Sequence, residues 1–176
     1  MRVVVVGNSG SGKSTFAARL AIRLEVRYVE LDAIYHQPGW QPLDDDVFRE
    51  RVRQATESEG WVVDGNYSAV REMLWSHAQL VVILAYPRRV VMPRIIRRSL
   101  GRVVFRRELW NENRERWSNL MSWAPDQNII RWAWTSHDKY NERYLTAMSD
   151  PEWSHLGFVR LTHPQQAAAF LAAFVR

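Results

Sequence analysis

Eight residues near the start of the chain carry the strongest chemistry: Gly7-Asn8-Ser9-Gly10-Ser11-Gly12-Lys13-Ser14 fits the spacing G-x-x-x-x-G-K-[ST] at every fixed position. Each residue type has a physical task in holding a phosphate. Glycines let backbone N–H groups turn inward around an anion with no Cβ in the way. A helix starting near Lys13 adds the partial positive charge of its N-terminus. The Lys13 ammonium reaches β- and γ-phosphates, and the Ser14 hydroxyl is a ligand for Mg²⁺. An apolar strand precedes the loop and an amphipathic helix follows it, which is the context this motif requires.

Further groups sit where strands are expected to end, the edge at which open α/β sheets place their ligands. "ELDAIYHQPGW" puts Asp32 after the second strand, as a water-mediated Mg²⁺ ligand or as the base for an acceptor hydroxyl. "WVVDGNYS" puts Asp64 after the third, a carboxylate of the kind that holds a metal-bound water; for both aspartates the other reading is a turn or helix-capping residue. His36 is either a base or substrate contact, or a loop histidine packed beside Pro38 and Trp40. His77, His137, His155 and His163 show no metal-ligand spacing with carboxylates, so no zinc site is read.

Between Arg88 and Arg107 lie eight arginines and no acid, within a net charge of +5, a field that favours phosphate-bearing partners. Arg94, Arg97, Arg98 and Arg102 are the candidates to close over a transferring phosphoryl group, with Arg106 and Arg107 behind them. The same arginines, interleaved with aromatics, also suit a nucleic-acid surface. Tryptophans spaced as in "WNENRERW" and "RWAW" are expected to pack helices together rather than to hold a base.

The elements that must position these residues follow from hydrophobic patterning. Short apolar, β-branched runs predict strands at Arg2–Val6, Arg27–Leu31, Trp61–Val63, Leu80–Ala85 and Gly157–Leu161. Helical spacing predicts helices at Lys13–Leu24, Asp44–Ser58 and Gln165–Val175, with Pro164 at an early helical position. Continuous apolar strands alternating with helices predict an α/β, three-layer fold on a parallel sheet covered on both faces. The residues from about 88 to 148 break that rhythm and read as a helical, Arg- and Trp-rich lid-like region. Pro93 is expected to kink or restart a helix there, Gly101 to interrupt it, and "APD" at 124–126 to break it again. At 176 residues, 47% apolar and 24% charged, the chain is one ordinary domain. With no cysteine, disulfides and thiolate sites are excluded. "VVVV" and "LVVILA" are too short to span a bilayer, and no signal-peptide pattern opens the chain, so a cytoplasmic protein with no membrane partner is expected.

Taken together, "GNSGSGKS", "LDAIYHQPGW" and "DGNYS" resemble a bacterial group of small adenylate-kinase-like P-loop proteins, often labelled DNA topology modulation (FlaR-related) proteins. "ELWNENRE" and "FVRLTHPQQA" extend the resemblance over most of the chain. It implies a five-stranded parallel sheet of nucleoside-monophosphate-kinase type, an ATP site and a mobile lid. By that likeness Gly7, Gly10, Gly12, Lys13, Ser14 and Thr15 hold the nucleotide phosphates. Asp64 matches the aspartate of the kinases' "DGFPR", and Asp32 the carboxylate after their second strand. The acceptor side departs from the kinases: Asn66, Tyr67 and Ser68 follow Asp64-Gly65, the nearest arginine is Arg71, and Ala124 stands where the lid arginine would be. Asn66 and Tyr67 offer neutral hydrogen bonds that suit a hydroxyl-bearing acceptor as well as a nucleotide. The expectation is a Mg²⁺- and ATP-dependent phosphotransferase with an unidentified acceptor; the alternatives are an ATP-gated nucleic-acid-binding protein and a structural protein with a vestigial loop.

Overall fold

The computed structural model describes residues 1–105, 108–113 and 128–174. Its elements run β1 (Arg2–Gly7), α1 (Lys13–Leu24), β2 (Arg27–Glu30), α2 (Leu31–Tyr35), β3 (His36–Gln37), β4 (Gln41–Pro42), α3 (Asp45–Ala55), β5 (Trp61–Asp64), α4 (Ser68–His77), β6 (Leu80–Leu84), α5 (Arg88–Val104), α6 (Ile129–Met148), β7 (Gly157–Leu161) and α7 (Pro164–Ala172). Short 3-10 turns occupy Pro38–Trp40, Trp110–Glu112 and Pro151–Trp153. Arg106, Arg107, the "APD" stretch and Ala124 lie outside the described residues.

The five expected strands pair in the order β2-β5-β1-β6-β7, all parallel. β3 and β4 form a separate antiparallel pair. Alternate side chains of a strand face opposite sides of its sheet, and both sides here are covered. Val4 and Val6 join Val63, Val81 and Ile83 beneath Phe48 and Val52 of α3, Leu74 and Trp75 of α4, and Tyr144 of α6. Val3 and Val5 face the other way with Val62 and Val82, against Phe16 and Leu20 of α1, Val91 of α5 and Leu171 of α7. Two apolar faces are why β1 reads as an unbroken run of valines rather than an alternating strand. The result is three layers, helices on each side of one parallel sheet.

Local signals set the helix ends. α3 starts where Asp44 Oδ1 accepts from Asp46 N at 3.0 Å, and α7 where His163 and Gln166 form a reciprocal capping box ahead of Pro164. α3 and α7 are each shorter than their predicted spans; the α3 end is marked by the Thr56 hydroxyl, which donates back to Val52 O at 2.8 Å.

α5 corrects the expectation that Gly101 interrupts the helix and that a helix restarts at Pro93. It runs continuously through Pro93 and Gly101. Val91, Ile95, Ser99 and Val103 are buried at four-residue intervals, and that stripe outweighs about 1 kcal/mol lost at a helical glycine. Pro93 removes one N–H, but its would-be partner carbonyl on Arg89 lies at an exposed position where water can satisfy it. Trp61, Trp75 and Trp153 are core residues, Trp75 meeting Trp153 edge-on at 5.3 Å. Trp134 is exposed and carries the Arg88 guanidinium over its ring at 4.6 Å. Among the described residues, no helix is long and apolar enough to cross a membrane.

Candidate functional site

The loop between β1 and α1 rises from the carboxyl edge of the sheet. α1 makes its first helical bond from Phe16 N to Gly12 O at 2.9 Å, so the N–H groups of Lys13, Ser14 and Thr15 have no partner within the helix. Lys13 and Ser14 are half-buried and Thr15 is exposed. Ser11 N folds back to Asn8 O at 3.1 Å, which tightens the loop. Among the described residues, the Asn8 amide (6% exposed) and the Ser11 hydroxyl are buried with no hydrogen-bond partner. Gly10 sits at φ +80°, and a Cβ there would lie 3.0 Å from Val91 O and 3.1 Å from Ile95 Cβ of α5. Gly10→Ala is therefore expected to cost about 1–3 kcal/mol of backbone strain, seen as a lowered Tm together with weaker nucleotide binding.

Three carboxylates gather beside this loop. Sheet register places Glu30 of β2 directly opposite Asp64 of β5, and Asp64 opposite Val5 of β1. Asp64 is buried, and its Oδ2 has no partner among the described residues. Burial pushes its carboxyl up to about 6; the Ser14 hydroxyl and the Lys13 ammonium oppose that rise, while Glu30 and Asp32 add to it. A buried, partly unsatisfied carboxylate beside a serine hydroxyl fits Mg²⁺, a hard cation that keeps several waters and needs few protein oxygens. Among the described residues, no cluster of three or more His, Asp or Glu could hold a metal by itself.

Asp32 lies in α2 rather than in a loop. The Tyr67 hydroxyl donates to Asp32 Oδ1 at 2.6 Å and stands 3.4 Å from His36 Nε2. Burial, then the Asp32 charge, raises the Tyr67 hydroxyl above its usual range, so it stays a neutral donor. Burial lowers His36 below its ordinary value, with Asp32 acting against it, which favours the neutral ring. His36 is packed as well as placed. Trp40 meets it edge-on at 5.3 Å and Trp110 lies nearly parallel at 6.1 Å, while Pro38 is exposed.

What holds this wall is the segment Leu109–Asn113. Asn111 Nδ2 donates to His36 O and Ala33 O. Asn113 is buried and answers two backbone groups at once: its Nδ2 donates to Gln37 O at 2.9 Å, and its Oδ1 accepts from Trp40 N at 2.8 Å. "WNEN" thus clamps "YHQPGW". The asparagine spacing was its signal, but nothing in the sequence says which loop it grips.

Asn66 is placed differently from a substrate ligand. Its amide is taken up by Gly7 and by Tyr144 of α6. Arg71 lines a pocket between α4 and α6 together with Arg143, Tyr67 and Tyr144, and lies over the Trp75 ring at 5.8 Å. Of the α5 arginines, Arg98 donates from Nη2 to Ser9 Oγ of the phosphate loop at 3.0 Å. Arg94 lies over the Tyr86 ring at 5.7 Å, and Arg97 is exposed. Arg102 is half-buried one turn beyond Arg98. Sequence reasoning did not single out Glu30, Arg143 or Tyr144.

No protein-family model matches the chain, and no curated protein matches it. Solved structures do. A gluconokinase from Sinorhizobium meliloti 1021 is similar at 19% identity, over 98% of this chain and 91% of that one, with a TM-score of 0.50. A shikimate kinase from Bacteroides thetaiotaomicron is similar at 13% identity, over 98% and 95% of the two chains, with a TM-score of 0.54. At these identities the likeness is one of fold: the chain has a P-loop kinase-like α/β fold on a five-stranded parallel sheet.

Proposed function

We propose that this protein is a Mg²⁺- and ATP-dependent phosphotransferase of the adenylate-kinase-like group its motifs resemble, acting on a small hydroxyl-bearing acceptor. The observation that carries the reading is the placement of Asp32. It is a carboxylate held by Tyr67 at 2.6 Å, directly after β2 at the sheet edge from which the phosphate loop rises.

Lys13 and the N–H groups of Gly10 and of Gly12 to Thr15 bind the phosphates. Ser14 and Asp64 would hold Mg²⁺, which when bound neutralises charge between the β- and γ-phosphates. Asp32 orients the acceptor hydroxyl and takes its proton as that oxygen bonds to the γ-phosphorus and ADP leaves. Tyr67 fixes the carboxylate, and neutral His36 forms part of the acceptor wall. Arg98 bonds the phosphate loop at Ser9, with Arg94 and Arg102 one turn away on the same face of α5. Arg71 and Arg143, which share one pocket, are suited to an anionic group on the acceptor.

Nucleic-acid binding is the less favoured reading. Arg98 turns onto Ser9, Arg94 onto Tyr86, and Arg88 pairs with Asp138 at 2.9 Å, so these cations face the protein's own surface.

The donor half is tested by binding a non-hydrolysable ATP analogue in the presence of Mg²⁺. The expected result is saturable binding that Lys13→Ala weakens about 10- to 100-fold, the worth of a charged hydrogen bond to phosphate. Equal binding by both proteins contradicts it.

A further inference from the structure

Asn66 follows the aspartate–glycine pair at the end of β5, the place where an acceptor ligand was expected, yet its side chain faces the phosphate loop. Asn66 Nδ2 donates to Gly7 O at 2.7 Å, and Gly7 N donates to Asn66 Oδ1 at 3.2 Å. The β1–β5 ladder ends just before this point, with Gly65 N donating to Val5 O at 3.3 Å. Two residues further along β1, the side-chain amide of Asn66 takes the place of the next peptide unit and offers Gly7 both a donor and an acceptor. Both backbone polar groups of the first loop residue are thereby fixed.

A second bond reaches Asn66 from the other side. The Tyr144 hydroxyl donates to the same Oδ1 at 2.9 Å. Tyr144 is buried, and burial raises its hydroxyl above its usual range, so it remains a donor. It stacks against Trp75 at 6.5 Å and Tyr140 at 6.3 Å, which holds the ring in place. Gly7 itself tolerates no side chain to do the task locally: it sits at φ +150°, and a Cβ would fall 2.7 Å from Leu84 O.

We propose that Asn66 and Tyr144 are positioning residues, Asn66 orienting Gly7 and so the phosphate loop, and Tyr144 holding Asn66 and thereby linking α6 to nucleotide binding. The nucleotide part rests on the function proposed above; the bridge to Gly7 does not. An effector of α6 position, such as occupancy of the Arg71–Arg143 pocket that Tyr144 also lines, would then reach the donor site through two side chains.

The test uses the full chain and two readouts. Amide hydrogen exchange at Gly7, followed by NMR without nucleotide, is expected to speed up about 5- to 10-fold in both Asn66→Ala and Tyr144→Phe, as for one lost hydrogen bond. Binding of the ATP analogue is then measured in each variant and in the double variant. Tyr144→Phe is expected to weaken binding about 3- to 10-fold on its own and to add nothing once Asn66 is alanine. Purely structural destabilisation would lower Tm in every variant, with additive effects and unchanged affinity of the folded protein. Unchanged Gly7 exchange in Tyr144→Phe overturns the bridge whether or not nucleotide binds. Additive effects on affinity overturn the linkage, and a wild-type protein that binds no analogue removes the functional reading while the exchange result still decides the bridge.

Discussion

Asp32→Asn is expected to lower phosphoryl transfer about 10²- to 10⁴-fold, the range typical of losing a positioned general base, while affinity for the ATP analogue stays within about threefold. The substitution is close to isosteric, and Asn Oδ1 can still accept from the Tyr67 hydroxyl that now bonds Asp32 at 2.6 Å. What it removes is the ability to take a proton and the negative charge facing the acceptor. The split between turnover and nucleotide affinity is the informative part. Steady-state kinetics with a saturating acceptor, set beside equilibrium binding, measures both. A fall of less than tenfold would mean that Asp32 only shapes the pocket. A matching loss of Mg²⁺-nucleotide affinity would move it to the metal shell.

Asp64→Asn is expected to make the metal-free protein more stable and the enzyme inactive. The Asp64 carboxyl is pushed up to about 6 by burial first of all. In the unfolded chain an aspartate titrates near 3.9. Between those values the folded state holds the extra proton, so stability is full below about pH 4 and falls as the pH rises through about 6. A shift of this size corresponds to about 3 kcal/mol. At pH 8 the variant should therefore melt about 6–12 °C higher for a chain of this length, and the difference between the two proteins should shrink as the pH falls from about 6 to about 4. Added Mg²⁺ with nucleotide should raise the wild-type Tm by more than the variant's, whose phosphate loop still binds nucleotide but lacks the Asp64 metal contact. A buried carboxylate kept at such cost is the usual mark of a group retained for chemistry rather than folding. Parallel pH profiles for the two proteins would contradict this account.

The sheet was legible because its strands are buried on both faces and so read as short continuous apolar runs, as at Val3–Val6 and Val81–Ile83. The phosphate loop was legible because its backbone geometry demands glycines at fixed spacing. Asp32 and Asp64 followed from the rule that ligands gather at the carboxyl edge of such a sheet. Other features left no pattern to read. α2 is a five-residue helix, too short to show periodicity. The continuity of α5 is decided by tertiary burial of Val91, Ile95, Ser99 and Val103, which overrides the local signal of Pro93 and Gly101. Glu30 was hidden because its partner across the sheet, Asp64, depends on strand order rather than on sequence distance. The clamp of Asn111 and Asn113 on residues 33–40, and the bridge from Tyr144 through Asn66 to Gly7, are pairings across more than 70 and 50 positions respectively, for which side-chain amides and hydroxyls carry no address. An asparagine two positions after Asp64 reads as a ligand until its two bonds to the Gly7 backbone are seen.

The measurement that bears most directly on the central claim is transfer of label from [γ-³²P]ATP with Mg²⁺, with Lys13→Ala as control. The acceptors are offered in separate pools: hydroxylated acids and sugars, nucleosides, nucleoside monophosphates, and oligonucleotides. Label is expected to move to one class of small hydroxyl-bearing acceptor and to be lost in the control. Analogue binding with no label transferred in any pool would contradict it, leaving the phosphate loop as a binding element and the α5 arginines to be explained as a surface for another partner.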